Sequence, residues 1–362
     1  MKPKIIDRYL TKQFLQTALF ALFAFLVIFV VIDMMENLDD FIDNSVDSKI
    51  VMQYYLYFMP EIIRLMTPVA VFLSCLFVTG KLSNQNELTA IRSSGVSLYR
   101  MMLPILITSA GISIFSFYFG GYVTPLANKE KVKIEITNMK KNIPIPGYNI
   151  FFQDSETRIV SIGYFDMSSY QAHKVSIQDF SKNNPIEMVS RIDAVRMKYD
   201  TLKMNWTIFN GVKRSFTGNK EVLQRFNEEK ITNLNFKPID IKTKQQKPEE
   251  MTTSDLYDFY INQLKTGNDP TRTLIEYHSR FAFALSSLIV VFIGFPLASS
   301  KRRGGLALQF GISLLFTFIY LGFMKISQAF GKNGVLDPVF TAWSANIIFF
   351  VFAIINLLRT PK

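Results

Sequence analysis

The stretch QFLQTALFALFAFLVIFVVI, residues 13–32, decides the class of fold. It contains no charged side chain, and as an α-helix it is about 30 Å long, which matches the hydrocarbon thickness of a bilayer. The stretch is too long for the apolar part of a signal peptide, and no small-residue cleavage motif follows it. We therefore interpret it as an uncleaved membrane span.

Five more windows of 16 residues or more lack Asp, Glu, Lys and Arg, and they cover residues 65–80, 101–128, 281–300, 304–324 and 338–358. The first of these is short, but residues 50–60 before it are also apolar and only Glu61 and Arg64 intervene. We expect one long helix over residues 52–80, kinked at Pro60 or Pro68. The sequence therefore predicts six membrane spans.

The basic residues of the short loops give the orientation. Twelve of them fall in the four segments that six spans place on one side: Lys2, Lys4, Arg8, Lys12, Lys81, Arg92, Arg100, Lys301, Arg302, Arg303, Arg359 and Lys362. On the other side, the loop of residues 33–50 carries six acids and one lysine. We expect both termini in the cytoplasm, and we attribute the net charge of +11 chiefly to this asymmetry rather than to a nucleic-acid partner.

The long loop between the third and fourth spans has a different composition. Segments 158–165, 174–180, 187–199 and 203–216 alternate polar and apolar residues and are separated by turn signals. This pattern predicts an all-β domain of the sandwich or jelly-roll kind. Cys75 is the single cysteine, so no intrachain disulfide supports that domain.

The predicted fold is thus an α-helical membrane protein with six transmembrane helices and an inserted, jelly-roll-like all-β domain on the outer side. Residues 1–124 hold the first three spans, with a cytoplasmic helix near residues 84–95. Residues 125–250 form the β-domain, and residues 251–270 form an amphipathic helix near the membrane, which Thr252 and Asp255 cap. Residues 271–362 hold the last three spans.

Motifs for intrinsic catalysis are missing from the sequence. It contains no Gly-x-x-x-x-Gly-Lys-[Ser/Thr] phosphate loop, no His-Glu-x-x-His and no Gly-x-Ser-x-Gly. The two histidines, His173 and His278, fall in the β-domain and at the head of the fourth span. We therefore expect no catalytic residue, no metal site and no cofactor in this chain.

Glu61 and Arg64 are two charges inside a predicted span. Because they are three residues apart, they share one face of the helix. Charges in the bilayer face protein or water. They form either an ion pair that stabilises the bend after Pro60 or a polar contact with an anionic lipid headgroup in an internal cavity.

The loop of residues 81–100 predicts a short cytoplasmic helix, capped by Asn84 or Asn86 and ended by Gly95. It is too short to fold alone. Such a helix between two spans can receive force from a soluble partner, or it can be a simple surface connector.

Residues 87–95, Glu-Leu-Thr-Ala-Ile-Arg-Ser-Ser-Gly, resemble the cytoplasmic coupling motif of the lipopolysaccharide-export permeases, the LptF/LptG (YjgP/YjgQ) family. The opening Ile-Asp-Arg-Tyr-Leu of residues 6–10 is similar to the N-terminus of that family, closer to the LptG branch. Residues 255–261 and 277–280 are similar as well. The plan of three spans, a β-domain and three spans extends the resemblance over the whole chain.

The resemblance implies a permease subunit of an ATP-binding-cassette exporter in a bacterial inner membrane. It implies a second permease of the same family and a cytoplasmic ATPase dimer that uses ATP and Mg²⁺. A periplasmic jelly-roll bridge protein would receive lipopolysaccharide from the β-domain, which would be periplasmic. The residues implied in ATPase coupling are Glu87, Leu88, Ala90, Ile91, Arg92 and Gly95.

By the same resemblance, phenylalanines of the first and fifth spans are expected to line the lipid cavity or its gate: Phe20, Phe23, Phe25, Phe29, Phe310, Phe316 and Phe318. Phenylalanines that simply face lipid are the alternative. Members of the LptG branch tend to carry basic residues at the outer end of the first span, whereas this chain has acids there. Other basic residues could then bind the phosphates (Arg64, Lys49, Arg272 and Arg280 are available), divalent cations could bridge, or the lipid could be less anionic. We hold the first alternative and expect Arg64 and Arg280 to contact the lipid headgroup.

Two other functions fit the same plan. One is an ATPase-coupled permease that transmits force outward without carrying lipid. The other is a membrane-anchored sensor or binding protein with a β-type ectodomain, which would have no ATPase partner.

Overall fold

The computed structural model describes residues 5–139, 148–166, 169–182, 184, 186–201, 204–217, 220–231, 234–238, 241, 247–265, 268–299 and 305–359. The chain divides into two compact units. The first comprises Met1–Lys140 and Thr271–Lys362, and the second, inserted between these parts, is Lys141–Pro270.

The first unit is helical. Its helices are α1 Ile5–Glu36, α2 Leu38–Asp43, α3 Ser48–Asn84, α4 Glu87–Ser93, α5 Leu98–Tyr118 and α6 Thr124–Thr137, followed after the insertion by α8 Thr271–Ser299, α9 Gly305–Lys332 and α10 Pro338–Arg359. Among the described residues, six helical stretches are long and apolar enough to cross a bilayer, namely α1, α3, α5 with α6, α8, Leu314–Lys332 of α9, and α10. The prediction of six spans is confirmed, and α3 continues through Pro60 and Pro68 as expected.

Helices α3 and α8 form the centre of this unit. In the apolar window of α8, 72% of the residues are buried, against 11% in that of α1, so α1 lies at the periphery. Polar side chains connect the last three helices: Tyr320 donates to Asn346 at 2.6 Å, and Asn346 donates to the carbonyl of Ala282 at 2.6 Å. Such hydrogen bonds fix helix register in an apolar surrounding, where the hydrophobic effect gives little preference.

The third span is longer than the sequence predicted. A π-helical turn, Phe119–Val123, joins α5 to α6, and the helical unit extends to Lys140 rather than to residue 124. Pro125 does not end the helix: Val123 and Thr124 before it keep right-handed helical backbone angles, and the π turn directly precedes it. A π turn is a local rearrangement of the hydrogen-bond ladder, which accommodates the N–H that proline lacks. Gly120 in the π turn lies against Arg64, whose Cδ would be 3.1 Å from an added Cβ.

The second unit contains six antiparallel strands: β1 Tyr148–Ser155, β2 Arg158–Asp166, β3 Gln171–Phe180, β4 Met188–Asp200, β5 Asn205–Thr217 and β6 Lys220–Ile231. The inserted all-β domain is confirmed. Each strand pairs with the next along the chain, so the described sheet is a meander with β1 and β6 at its edges. Its strand order differs from the Greek-key order of a two-sheet jelly roll.

One row of residues without a bridge partner crosses the sheet. On both sides of this row the register is regular, apart from a shift at Asp179 and Phe180 near the end of β3. The row consists of Gly163, Lys174, Val195, Asn210 and Asn227. Lys174 and Asn210 have φ of 54° and 52°, in the left-handed region that bulges use.

The buried positions change phase at this row, which we name the crease. Along each strand they are separated by two residues, but across the crease by three: Ile162 to Phe165, Ala172 to Val175, Ala194 to Met197. Both halves nevertheless contribute to a single hydrophobic core. The crease therefore bends the meander so that one sheet buries a face without a second sheet among the described strands.

A segment that we name the strap, residues 234–238, completes this core. Phe236 is 6% exposed, and its carbonyl accepts a hydrogen bond from the indole N–H of Trp206 at 2.9 Å. The carboxylate of Asp154 accepts from the backbone N–H groups of Asn235 and Phe236 at 2.7 and 3.2 Å. After the strap, α7 Thr253–Lys265 begins as predicted, with the Thr252 hydroxyl accepting from the Asp255 N–H at 3.3 Å.

Candidate coupling and lipid-contact residues

Helix α4 occupies the position of the predicted cytoplasmic helix. Asn86 precedes it in the left-handed conformation, with φ of 59° and no side-chain capping bond. Gly95, with φ of 87°, follows it, so the chain reverses where the sequence predicted the end of the helix. Asn86 thus contributes a backbone conformation that asparagine tolerates rather than the side-chain cap that we expected.

The six predicted coupling residues divide between two faces of α4. Leu88 is 3% exposed and lies in the core of the helical unit with Leu82 and Leu98, and Ile91 packs against the same core. Ala90, Arg92 and Gly95 are exposed, and Glu87 is half-buried. Leu88 therefore anchors α4 to the core, and Ala90 and Arg92 lie on its exposed side.

An ion pair that no local sequence pattern indicates connects α1 to the start of α5. Arg100 donates to both carboxylate oxygens of Asp7, at 2.8 and 2.7 Å. The side chains of Arg100 and Asp7 are 24% and 14% exposed. Asp7 belongs to the opening motif and Arg100 follows the coupling segment, but the two lie 93 residues apart in sequence, and only the fold brings them together.

The four phenylalanines of α1 lie in different environments. Phe20 and Phe23 are 74% and 65% exposed. Phe25 is half-buried, and Phe29 packs against the aromatic cluster around Tyr54 at the far end of the helix. Phe20 and Phe23 are therefore available for a cavity or a partner helix, whereas Phe29 contributes to packing.

The phenylalanines of α9 also differ from one another. Phe316 packs in the core, with its ring centroid 5.4 Å from that of Phe72 and 5.1 Å from that of Phe349. Phe318 is 65% exposed. The side chain of Phe310 lies outside the described part of the structure.

Glu61 and Arg64 form the intramembrane ion pair that the sequence allowed. Arg64 donates to both oxygens of Glu61, at 3.0 and 2.6 Å, and its guanidinium lies 5.5 Å from the ring centroid of Phe283. The side chains of Arg64 and Glu61 are 23% and 27% exposed. The pair is therefore neutralised within the chain but remains accessible at one side.

Arg280 is more enclosed than Arg64. Its side chain is 4% exposed, and its Nε lies 3.6 Å from the Glu276 carboxylate one turn earlier in α8. This charge belongs to the interior of the helical unit, and Arg64 is the more accessible of the two predicted headgroup contacts.

A basic residue of the third span, Lys131, lies among acidic and aromatic groups of α3 and α6. Lys131 in α6 is 3.5 Å from Glu135 and places its ammonium 5.2 Å from the ring centroid of Phe58. Glu36 and Asp39 are exposed. Aromatic and charged groups from α3 and α6 thus hold this end of the helical unit together.

Comparison with known proteins gives one family over nearly the whole chain. The sequence profile of the family described as lipopolysaccharide export system permease LptF/LptG matches residues 8–359. Lipopolysaccharide export system permease protein LptG of Escherichia coli K12 is 21% identical over 361 residues, covering 98% of each chain. LptF of the same strain is also 21% identical, over 97% of this chain and 94% of its own. Identity therefore does not separate the two branches, and the predicted closeness to LptG stays a prediction.

Proposed function

The chain belongs to the LptF/LptG family of lipopolysaccharide export system permeases, and from this premise we propose that it is the permease subunit of an ATP-driven lipopolysaccharide exporter. It is a multi-pass membrane protein with six apolar helices. In the proposal, both termini and α4 are cytoplasmic, and the β unit is periplasmic. The distribution of basic residues among the short loops supports this orientation.

Helix α4 is the observation that carries the proposal. A seven-residue helix has little stability of its own, so its position depends on Leu88 and Ile91 in the core of the helical unit. Its exposed side then offers Ala90 and Arg92 to a soluble protein. We propose that a cytoplasmic ATPase dimer, which holds the ATP and Mg²⁺, receives this face in a groove and moves α4 when it closes.

A second permease of the same family would complete the membrane part. Helix α1 has one buried stripe, Leu10, Phe14, Ala18 and Ala21, and none of its residues after Ala21 is buried. Its exposed Phe20 and Phe23, with Phe318 of α9, provide apolar surface for a cavity between two permeases. At about 0.8 kcal/mol per CH₂, an acyl chain of about a dozen carbons costs roughly 10 kcal/mol to expose to water, so the lipid needs such a surface throughout transport.

Arg64 is the residue that we propose for contact with a headgroup phosphate. It is accessible, and Glu61 already balances its charge in the absence of lipid. A phosphate would then compete with Glu61 for the guanidinium, which forms paired hydrogen bonds with either group. This competition would make headgroup binding reversible, as transport requires.

The β unit would deliver the lipid to a periplasmic bridge protein of jelly-roll type. Among the described strands, β6 pairs with β5 alone and so forms an edge of the sheet. Val222 and Leu223 on β6 are 61% and 53% exposed. A strand of the bridge protein can add to this edge through backbone hydrogen bonds, which would extend the apolar face of the sheet.

The two alternative functions differ in their partners. A force-transmitting permease would bind the ATPase but carry no lipid, and a sensor would bind no ATPase. Family membership favours lipopolysaccharide export over both, because the two matched relatives are named as export permeases.

Copurification tests the proposed function. The full chain, purified in mild detergent from its own cells, is expected to bring down an ATPase, and Arg92→Glu is expected to reduce the recovered ATPase at least about fivefold, since it reverses a charge at the docking face. Arg225→Glu in β6, exposed like Arg92 but in the other unit, is the matched control and is expected to retain the ATPase. Wild-type protein that brings down no ATPase would contradict the proposal.

A further inference from the structure

We propose that the Asp7–Arg100 ion pair is the joint that transmits movement of the coupling segment to α1, so that its two residues position α1 during the export cycle. This inference rests on the proposed function and names the connection within the chain that the function needs. The supporting observations are the place of the pair, its geometry and the packing of α1.

The pair lies where three elements meet. Asp7 is in the first turn of α1, and Arg100 is in the first turn of α5, five residues after Gly95. Leu10, Leu88 and Leu98 share one buried cluster beside it. A displacement of α4 therefore reaches the start of α5 directly, and the start of α5 carries Arg100.

The geometry of the pair distinguishes it from the apolar contacts around it. Apolar packing has no preferred direction, so leucines that slide past each other keep most of their stabilisation. A guanidinium that holds both oxygens of a carboxylate, at 2.8 and 2.7 Å, fixes distance and orientation together. The ion pair is thus the contact that can convert movement of α5 into a defined rotation or shift of α1.

The one-sided packing of α1 explains why such a joint would control it. Beyond the stripe of Leu10, Phe14, Ala18 and Ala21, α1 has no buried residue up to Glu36. Along the stripe, one hydrogen bond connects the helix to α3, from the Ser74 hydroxyl to the carbonyl of Phe14 at 2.7 Å. The stripe and Phe29 near the other end hold α1 on one side only, so α1 can follow a directional contact at its start, and Phe20 and Phe23 move with it.

The test uses the complex of the full chain with its copurified partners. Asp7→Asn and Arg100→Lys are expected to leave ATPase recovery and the rate of ATP hydrolysis within about twofold, because both residues lie outside α4, whose exposed side is the proposed docking surface. Transfer of lipopolysaccharide out of membranes that contain the complex is expected to fall about tenfold, which corresponds to the loss of one charge-assisted interaction. Glu130→Gln, in the exposed Glu130–Lys133 pair, is the control and should transfer normally.

The exchanged pair, Asp7→Arg with Arg100→Asp, separates a joint from a residue that is needed only for folding. If the ion pair transmits movement, the exchange restores transfer to at least about a third of the wild-type rate, while either exchange alone does not. Normal transfer by Asp7→Asn, or a parallel loss of ATP hydrolysis and transfer in all variants including the exchanged pair, would overturn the inference. Neither result would affect the proposed function, which fails if the wild-type complex lacks an ATPase or transfers no lipid.

Discussion

The carboxylate of Asp154 holds the strap of the β unit in place by hydrogen bonds to its backbone. One oxygen accepts from the N–H groups of Asn235 and Phe236, while the other is buried without a hydrogen bond, 3.9 Å from Arg158. The side chain is fully buried, with 0% exposed. Asp154→Ala would leave two N–H groups unsatisfied, each worth about 1–3 kcal/mol, so we expect the free energy of unfolding to fall by roughly 2–6 kcal/mol.

Asp154→Asn should behave differently, because the amide oxygen can accept the same two hydrogen bonds while the buried charge is removed. We expect its free energy of unfolding near pH 7 to lie within about 1 kcal/mol of wild type, or above it. Comparing Asp154→Ala with Asp154→Asn separates the stabilisation that comes from the hydrogen-bond acceptor from the destabilisation that comes from burying a negative charge.

The pH dependence follows from the same burial. Burial raises the pKa of Asp154 above its ordinary value of 3.8, although the two N–H groups and Arg158 act in the opposite direction. Below 3.8 the carboxyl is protonated in both the folded and the unfolded chain. As the pH rises through the raised pKa, the folded chain must release a proton from a buried group, so the stability that this group contributes is lost towards neutral pH. Asp154→Asn should remove that part of the slope.

Tryptophan fluorescence provides the assay. The two tryptophans are Trp206, 2% exposed in the β unit, and Trp343 in α10. In a Trp343→Phe background, urea unfolding of the full chain in detergent, followed by Trp206 between about pH 4 and 7, reports on the β unit. Equal destabilisation by Asp154→Ala and Asp154→Asn, or an unchanged pH slope in the Asn variant, would refute this reasoning.

Three further predictions concern the helical unit. Gly331→Ala should destabilise the helical unit by about 1–3 kcal/mol, since the new Cβ would lie 2.8 Å from the Cβ of Thr341, and Thr341→Gly should recover part of the loss. Resistance to heating in detergent, measured by size-exclusion chromatography, tests both variants. An unaffected Gly331→Ala would contradict the close approach. Leu88→Ala should cost about 2–5 kcal/mol in the same assay, while the exposed Thr89→Ala should be neutral; equal effects would mean that Leu88 is not the anchor. Gly95→Val, forced into φ of 87°, should lower ATPase recovery severalfold without unfolding the chain, and full recovery would show that this turn is dispensable.

Much of the helical unit was predictable because apolar windows, prolines and loop charges are local signals. The six spans, the unbroken α3 and the position of α4 all follow from residues close together in the sequence. The π turn was not predicted, because an extra residue in the helical ladder at Phe119–Val123 leaves the apolar composition of the span unchanged.

The β unit shows a signal that was present but not used. The alternation of apolar residues in the strands shifts from two to three residues at the crease, as in the step from Ile162 to Phe165 and from Ala194 to Met197. Reading that shift would have predicted a bent sheet. The strap could not be predicted in the same way, because Asp154 meets Asn235 across 81 residues.

The sequence indicated which residues could form the candidate site, but not which of them are buried and which are exposed. A single sequence indicates which residues are chemically able to act, but the environment of each depends on packing between distant helices. Phe316 and Phe318 are two residues apart, yet one packs in the core and the other is 65% exposed. The Asp7–Arg100 pair joins residues that no local pattern connects.

Photo-crosslinking in living cells tests the central claim, that this chain carries lipopolysaccharide, most directly. A benzophenone side chain at Phe20, Phe23 or Phe318 is expected to yield lipopolysaccharide adducts, whereas the same probe at the exposed Phe340 of α10 should give less than about a tenth as much. Adducts that depend on a functional ATPase would support export. Absence of adducts at all three positions, or equal yields at Phe340, would contradict it.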